Sequence, residues 1–216
     1  MKNMLPKNLE VVFLDFDGVV VESANIKTQA FYELYLPYGV YVAEQARDYH
    51  LKNQGVSRYK KFDEMHKLFL NKVCSKNEKE ILSTKFSKIV FKKIIEAPLV
   101  DGVLDFLKEM QNQNIPVFLL SATPHEELLT ICEARRILGY FKMIYGAPYE
   151  KSEIGRKIIN EYYFSKEHIV FIGDSPSDFK AASLIDVNFI GRVPDGEENS
   201  FDVSIFTIKD FSSLIS

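Results

Sequence analysis

The sequence predicts an α/β fold, in which a parallel β-sheet is flanked by helices on both faces and a helical segment is inserted near the start. Three observations predict this fold class. From residue 101 onward, short apolar segments alternate with helical patterns, as in parallel sheets that are buried on both faces. Another apolar strand, Val11–Leu14, stands near the start of the chain. Residues 21–97, between these two parts, have helical periodicity and contain no convincing strand.

Length and composition are ordinary for a globular protein. The 216 residues suffice for a core domain with a smaller insertion, and 46% of them are hydrophobic while 26% are charged. A formal net charge of −3 gives no electrostatic reason to expect nucleic acid or a membrane as a partner. Cys74 and Cys132 lie far apart without metal-type spacing, which indicates reduced thiols. We expect a cytoplasmic protein without a signal peptide, either a monomer or a weak dimer.

Two aspartates follow the first predicted strand directly. Asp15, Phe16, Asp17 and Gly18 follow Val11–Leu14. Because residues two apart on an extended chain point to the same side, Asp15 and Asp17 can share one site while Phe16 turns into the core. Burying two carboxylates is costly unless something compensates their charge. Taken alone, the segment could also be an acidic turn without chemical importance.

The insertion begins with a helix that ends at a Pro-Tyr-Gly turn. Ser23 or Asn25 can cap this helix, which runs to about Leu36. Apolar residues at helical spacing then predict two inward-facing stripes, formed by Phe62, Met65, Phe69 and Val73, and by Leu82, Phe86, Ile89 and Val90. We therefore expect residues 21–97 to form a helical domain.

After Pro98 the chain alternates helices and strands. A helical stripe runs from Val103 to Met110. Further strands are predicted near residues 116–120, 143–145, 169–172, 187–190 and 203–206. Further helices are predicted near residues 125–138 and 152–163, and from about Asp178 to Ile185. This alternation with short connections predicts a core domain made of residues 1–20 and 98–216.

Polar side chains follow several of the predicted strands, at the edge where parallel sheets gather functional groups. They are Asp15 and Asp17 after the first strand, Ser121 and Thr123 after the second, Lys151 at a helix start, and Asp174 and Asp178 after the fourth. Four carboxylates this close repel one another unless a cation lies among them. A hard divalent ion with oxygen ligands, most simply Mg²⁺, meets this need.

Such a site suits phosphoryl transfer. Asp15 can act as the nucleophile, because Mg²⁺ and Lys151 offset its repulsion from a phosphate ester. Asp17 can act as general acid and then as base towards water, while Ser121 donates to a phosphoryl oxygen. We expect Asp174 to ligate the metal, and Asp178 to hold the loop or complete the metal's outer shell.

Four of these segments together resemble the motifs of the haloacid dehalogenase superfamily. In chain order they are Asp15-Phe16-Asp17-Gly18-Val19, Ser121-Ala122-Thr123, Lys151 and Gly173-Asp174-Ser175-Pro176-Ser177-Asp178. The resemblance implies a Rossmann-like core, a helical cap over residues 21–97, and a Mg²⁺-dependent enzyme that forms an aspartyl-phosphate on Asp15. It also implies that the backbone carbonyl of Asp17 is a metal ligand, and we expect Gly18 and Thr123 to contact the substrate.

Asp17 distinguishes between the types of reaction found in that superfamily. Dehalogenases and phosphonatases lack an acid at this position, whereas phosphatases and phosphomutases have one that protonates an ester oxygen. The resemblance therefore implies a phosphate ester as substrate.

The cap offers two candidate substrate contacts. The run Gly55-Val56-Ser57-Arg58 resembles a loop of β-phosphoglucomutase-like members, in which the arginine approaches a second phosphate or a sugar. Alternatively, Arg58 solvates a helix start. Lys27 stands where those mutases carry a histidine, and it could contact an anionic substrate without the same proton-transfer role.

We therefore predict a phosphatase that acts on a small metabolite such as a sugar phosphate or phosphoglycolate, within the β-phosphoglucomutase and phosphoglycolate phosphatase-like subgroup. One alternative is a β-phosphoglucomutase-like phosphomutase. A more remote one is a binding protein that has kept the fold and lost activity. We expect His66 and His168 to be surface or half-buried residues.

Overall fold

The computed structural model describes residues 5–215, and a six-stranded parallel sheet forms its centre. The strands are β1 (Val11–Leu14), β2 (Val117–Pro124), β3 (Met143–Ala147), β4 (Ile169–Gly173), β5 (Asn188–Arg192) and β6 (Thr207–Ile208). Their order across the sheet is β3-β2-β1-β4-β5-β6. The first strand is therefore central, and its four residues are fully buried because helices cover both faces.

Eight α-helices accompany the sheet within the described residues. The first four, α1 (Ala24–Tyr35), α2 (Val40–Lys52), α3 (Arg58–Leu70) and α4 (Lys76–Glu96), follow β1 directly, and we call them the helical insertion. The other four, α5 (Val103–Asn112), α6 (His125–Ala134), α7 (Lys151–Tyr162) and α8 (Pro176–Ile185), alternate with the remaining strands. The predicted α/β fold class is confirmed.

Hydrophobic side chains fill the space on both sides of the sheet. On one face Phe13 meets Phe118 and Phe171 edge to face, with ring centroids 6.0 and 6.2 Å apart. The helical insertion has aromatic packing of its own, in which Phe31 lies 4.7 Å from Phe86 and 6.1 Å from Phe62. Both sets of rings bury apolar surface, and the contacts of Phe31 determine how the insertion's helices pack together.

The pairing of β1 places its carboxyl end between those of two other strands. Leu14 is in register with Leu119 of β2 and with Ile172 of β4. The backbone N–H of Asp15 continues the ladder by donating to the carbonyl of Ile172 at 3.0 Å. The residues that follow these three strands therefore meet at one edge of the sheet.

Three details of the helical insertion correct the sequence predictions. Ser23 precedes α1 but does not cap it, because its hydroxyl donates to Asp17 instead, at 2.7 Å. Val73 lies beyond the end of α3 and is 88% exposed. His66 is buried rather than on the surface, since its Nδ1 hydrogen bonds with the hydroxyl of Tyr35 at 3.1 Å.

The last strand was also misplaced. Residues 203–206 were expected to be extended, but β6 is Thr207–Ile208 and Val203 is 98% exposed. The reason is a turn held by Asp202, whose carboxylate accepts from the backbone N–H of Ser204 at 2.9 Å. Helix α6 also ends earlier than predicted, because Arg136 takes a positive φ of 57° soon after Ala134.

Cys74 and Cys132 are both buried and free, as the spacing indicated. Across residues 5–215, no helix has the length and the apolar character needed to cross a membrane.

Candidate active site

The carboxyl edge of the sheet brings together the side chains that the sequence analysis selected there. Asp15 follows β1, Ser121 and Thr123 lie at the end of β2, Asp174 follows β4, and Lys151 begins α7. All but Asp174 are buried, and Asp174 is partly buried. Residues that are far apart in the chain therefore form one site, because adjacent parallel strands end at the same edge.

Lys151 links two of the carboxylates. Its Nζ lies 2.7 Å from Asp15 Oδ1 and 2.5 Å from Asp178 Oδ1. Burial alone would lower the pKa of Lys151, but the two carboxylates outweigh burial and raise it. The lysine is therefore charged and balances part of the negative charge at this edge.

Asp178 is fully engaged within its own loop. While Oδ1 accepts from Lys151, Oδ2 accepts from the hydroxyl of Ser175 at 2.6 Å and from its backbone N–H at 3.2 Å. These contacts form a capping box at the start of α8. Asp178 thus orients both the lysine and the loop that carries Asp174.

Asp15 and Asp174 lack enough positive charge around them. Burial raises the pKa of Asp15 to about 7, although Lys151 opposes the rise, and Asp178 and Asp17 add to it. Burial and the neighbouring Asp15 likewise raise the pKa of Asp174 well above its usual value. Asp15 Oδ1 is paired with the Lys151 ammonium at 2.7 Å and has no other partner within residues 5–215.

The same carboxylates fit a divalent cation. Asp15, Asp174 and Asp178 each offer an oxygen, and these three atoms lie within 4.8 Å of one another. Hard cations such as Mg²⁺ take carboxylate oxygens as ligands, and a cation would supply the charge that Asp15 and Asp174 lack. Because both oxygens of Asp178 are already engaged, Asp15 and Asp174 are the better ligands.

Gly18 makes room for this carboxylate cluster. Its φ is +72°, and a Cβ built on it would lie 2.0 Å from Asp174 Oδ2. Any side chain at this position would therefore displace Asp174.

The carboxylate of Asp17 turns away from the cluster towards the helical insertion. It accepts hydrogen bonds from Ser23 at 2.7 Å, from Thr123 at 3.0 Å, and from Lys27. Burial alone would raise the pKa of Asp17, but the Lys27 ammonium and these hydrogen bonds outweigh burial and lower it. Lys27 also donates to Thr123 Oγ1 at 2.7 Å, so both residues contact the predicted acid.

Arg58 is buried, which rules out the alternative that it solvates a helix start. Its side chain is 4% exposed and forms a bidentate pair with Glu127 of α6, at 2.8 and 3.0 Å. It also donates to Ser87 at 2.8 Å and lies 4.5 Å above the ring of Phe86. Arg58 thus ties the helical insertion to a helix that covers the sheet.

A second contact joins the same two regions at Gly55. Its φ is +72°, and an added Cβ would lie 2.2 Å from Ser177 Oγ and 2.4 Å from Ser175 Oγ. The insertion's loop therefore rests directly on the loop that carries Asp174.

Between the insertion and the sheet edge lies a cavity of about 50 Å³. Charged residues from both regions line it, namely Asp15, Asp17, Asp174, Lys27, Arg58 and Lys61. The two regions contribute opposite charges, since the three acids follow strands and the three basic residues belong to the insertion.

Sequence reasoning missed several residues of this site. Lys61 lies one helical turn after Arg58 on the buried face of α3, and that i, i+3 spacing was a usable signal. Glu127 is 69 residues from Arg58 in the chain, and nothing in the sequence connects them.

Arg192 is another residue that the sequence did not single out. It donates to the carbonyl of Gly18 at 3.1 Å and forms a bidentate pair with Glu22 at 2.8 and 2.6 Å. It thereby holds the loop that follows β1.

Comparisons with known proteins agree with this architecture. The structure superimposes on that of a haloacid dehalogenase-like hydrolase from Bacteroides fragilis with a TM-score of 0.76 and 18% sequence identity. The superposition covers 96% of this chain and 100% of the other one. The HAD-hydrolase YfnB from Bacillus subtilis, solved bound to magnesium, gives a TM-score of 0.69 at 15% identity, covering 96% of this chain and 97% of that one. At such identities the likeness shows the fold alone.

Sequence comparisons identify the family. Enolase-phosphatase E1 from Aquifex aeolicus (strain VF5) is 28% identical over 120 residues, which are 52% of this chain and 53% of that protein. The match thus spans about half the length of this curated relative. The sequence profile described as "Haloacid dehalogenase-like hydrolase" matches residues 11–192, which include every strand from β1 to β5 and all the residues described at the sheet edge. The chain therefore belongs to the haloacid dehalogenase-like hydrolase family.

Proposed function

We propose that this chain is a Mg²⁺-dependent phosphatase that hydrolyses a small phosphorylated metabolite through an aspartyl-phosphate on Asp15. In this proposal residues 1–20 and 98–216 are the catalytic core, and residues 21–97, which contain the helical insertion, act as a cap over the substrate. The sequence resemblance and the phosphatase-named relative support the reaction class.

One observation carries the proposal. Asp15 is buried at the sheet edge, its Oδ1 has the Lys151 ammonium at 2.7 Å as its one partner within residues 5–215, and burial raises its pKa to about 7. A carboxylate that is poorly compensated is a strong candidate for a nucleophile, because a metal and a substrate can supply the missing interactions.

Asp15 and Asp174 would hold the Mg²⁺, together with the backbone carbonyl of Asp17 that the resemblance implies. When bound, Mg²⁺ lowers the repulsion between these carboxylates and an anionic phosphate ester. Relatives support the choice of metal, since YfnB was solved with magnesium.

In the first half-reaction, a carboxylate oxygen of Asp15 attacks phosphorus and the ester P–O bond breaks. Lys151 holds the Asp15 carboxylate in place, and the Ser121 hydroxyl donates to a phosphoryl oxygen. The leaving alkoxide takes a proton from Asp17, so the alcohol departs neutral.

In the second half-reaction, Asp17 accepts a proton from water as the water attacks the phosphorus. The bond between Asp15 and the phosphoryl group breaks, and inorganic phosphate is released. The pairing with Lys27 favours the carboxylate form of Asp17, which this step requires. The first step requires the protonated form, so Lys27 must loosen its contact when substrate binds.

The relative named as a phosphatase supports hydrolysis over a phosphomutase. The two residues that the sequence offered for a second phosphate already have partners, since Glu127 engages Arg58 and Asp17 engages Lys27.

The test is phosphate release from phosphorylated sugars, phosphoglycolate, nucleotides and an aryl phosphate, with Mg²⁺ or with a chelator. We expect release from at least one substrate, and loss of at least about 10³-fold in Asp15→Asn. Asp105→Asn is the matched control, because Asp105 is exposed and pairs with Lys108 on the surface of α5. Equal activity of Asp15→Asn and the control would contradict the proposal, and an isomerised product without free phosphate would favour the mutase.

A further inference from the structure

Three cations of the helical insertion line the cavity, and they differ in their partners. Lys27 pairs with Asp17, and Arg58 forms its bidentate pair with Glu127. Lys61 has no carboxylate partner among residues 5–215, although only 3% of it is exposed. Of the three, only Lys61 has a charge without a partner in the part of the chain that the structure describes.

Neighbouring rings hold Lys61 in place. Its Nζ lies 2.8 Å from His50 Nδ1 and 5.3 Å from the centroid of Phe31, and His50 stacks on Phe31 at 4.6 Å. Burial and the nearby Lys61 lower the pKa of His50 to about 2, so its ring is neutral and Nδ1 can accept. One of the three ammonium donors is thus used, which leaves two for a ligand.

Without a ligand, the burial of Lys61 destabilises the folded protein. A buried cation without an opposite charge is unfavourable, and replacing it with an apolar side chain of similar size is often stabilising. Burial, Lys27 and Arg58 lower the pKa of Lys61 to about 7, against the raising effect of Asp17 and Asp174. A site that keeps such a lysine at the wall of a cavity is suited to an anionic ligand.

We propose that Lys61 binds a second oxyanion on the leaving-group side of the substrate, so that this protein prefers phosphate esters that also carry a carboxylate or another phosphate. The inference rests on the proposed function, which places the reacting phosphate beside Asp15. It assigns recognition of the second anion to Lys61, because the donors of Arg58 are engaged by Glu127 and Ser87.

Matched ligands test the preference without relying on turnover. Phosphoglycolate and ethyl phosphate both carry one phosphate on a two-carbon chain, but only phosphoglycolate has a carboxylate. Their dissociation constants are measured by calorimetry with Mg²⁺ on Asp15→Asn, which cannot form the aspartyl-phosphate. Ethylene glycol bisphosphate is the third ligand and distinguishes a second phosphate from a carboxylate.

We expect Asp15→Asn to bind phosphoglycolate or the bisphosphate at least about tenfold more tightly than ethyl phosphate, as a charge-assisted hydrogen bond allows. Adding Lys61→Met should abolish the preference while affinity for ethyl phosphate changes less than about threefold. Adding Lys60→Met is the matched control, because Lys60 is the adjacent lysine, exposed and paired with Glu150. This control should keep the preference.

A thermal unfolding measurement separates recognition from a structural role. Without ligand, Lys61→Met should unfold at the same or a higher temperature than the wild type, because it removes a buried charge. A lower unfolding temperature together with equal loss of all three ligands would show that Lys61 only supports the fold, and would overturn the inference.

Failure of the inference can be told apart from failure of the proposed function. Phosphate release by the wild type, without any preference for ligands that carry a second anion, would overturn the inference but support the proposed phosphatase activity. A Lys61-dependent preference in binding, without phosphate release from any substrate, would support the inference and contradict the proposed phosphatase activity. Absence of binding by all three ligands would overturn the inference.

Discussion

The sheet edge and the helical insertion supply opposite charges to the same cavity, and they position them differently. At the edge, Asp15 and Asp174 follow directly from β1 and β4, so strand pairing determines where their backbones lie. In the insertion, Lys27, Arg58 and Lys61 reach the cavity from helices, and their side-chain partners determine where their charges lie. Strand pairing therefore positions the proposed reacting groups, whereas helix packing positions the cations to which we assign substrate selection.

The largest effect should come from breaking the charge balance at the sheet edge. Lys151→Met would leave Asp15 and Asp178 buried without their common cation, which costs about 3–5 kcal/mol for a buried pair that loses one partner. We expect phosphatase activity to fall at least about 10³-fold, with a lower temperature of unfolding. Lys166→Met, at an exposed lysine that lies 3.6 Å from Asp186, is the matched control. Activity within tenfold of the wild type would contradict the assigned role of Lys151.

The next effect concerns the space around Asp174, one of the proposed metal ligands. Gly18→Ala would place a Cβ 2.0 Å from Asp174 Oδ2 and displace that carboxylate. We therefore expect Mg²⁺ affinity to fall at least about tenfold, measured as a smaller rise in unfolding temperature on adding Mg²⁺.

Gly196→Ala is a close control for that change. Gly196 also has a positive φ, +81°, but an added Cβ would meet nothing within 4 Å. The control thus carries a similar backbone strain without the collision. If both variants lost the same Mg²⁺ response, the collision with Asp174 would not be the cause.

The fold and the sheet edge were predictable because each depends on local patterns. Apolar segments such as Val11–Leu14 mark buried strands, and parallel strands necessarily bring their carboxyl ends together. The last strand was misplaced because Val203 is apolar and β-branched, while the turn at Asp202 depends on one side-chain hydrogen bond.

The partners of the insertion's cations were not predictable in the same way. Arg58 and Glu127 are 69 residues apart, and their contact exists only because α3 and α6 pack at one place. The i, i+3 spacing puts Lys61 on the same face of α3 as Arg58, but it does not indicate that this face is buried. The burial of Lys61 depends on how Phe31 and His50 are packed, which the helical period of α3 alone does not specify.

A smaller effect is expected where the insertion touches the sheet's loops. Gly55→Ala would place a Cβ 2.2 Å from Ser177 Oγ and 2.4 Å from Ser175 Oγ. Ser177 can rotate away, but Ser175 is held by Asp178 at 2.6 Å. We expect kcat/KM to fall roughly tenfold because the insertion cannot close fully. The same Gly196→Ala variant is the control, and an unchanged kcat/KM in Gly55→Ala would show that this contact does not limit closure.

The smallest effect is the coupling between Arg58 and Glu127. The single changes Arg58→Met and Glu127→Gln each leave a charged group without its partner. The losses of unfolding free energy in the two single variants should therefore sum to more than the loss in the double variant. Urea unfolding of the four proteins should give a coupling of about 1–3 kcal/mol. The exposed pair Lys108 and Asp105 should give no measurable coupling in the same experiment. Equal coupling in both pairs would contradict the importance of burial.

The most direct test of the account is to locate the phosphoryl group during turnover. The wild type is mixed with Mg²⁺ and its best phosphate ester, quenched in acid within one turnover, and digested for mass spectrometry. We expect a phosphoryl group on the peptide that contains Asp15, at that residue, and none in the presence of chelator. Phosphate release at the normal rate with the label on another residue, or with no labelled peptide at all, would contradict it.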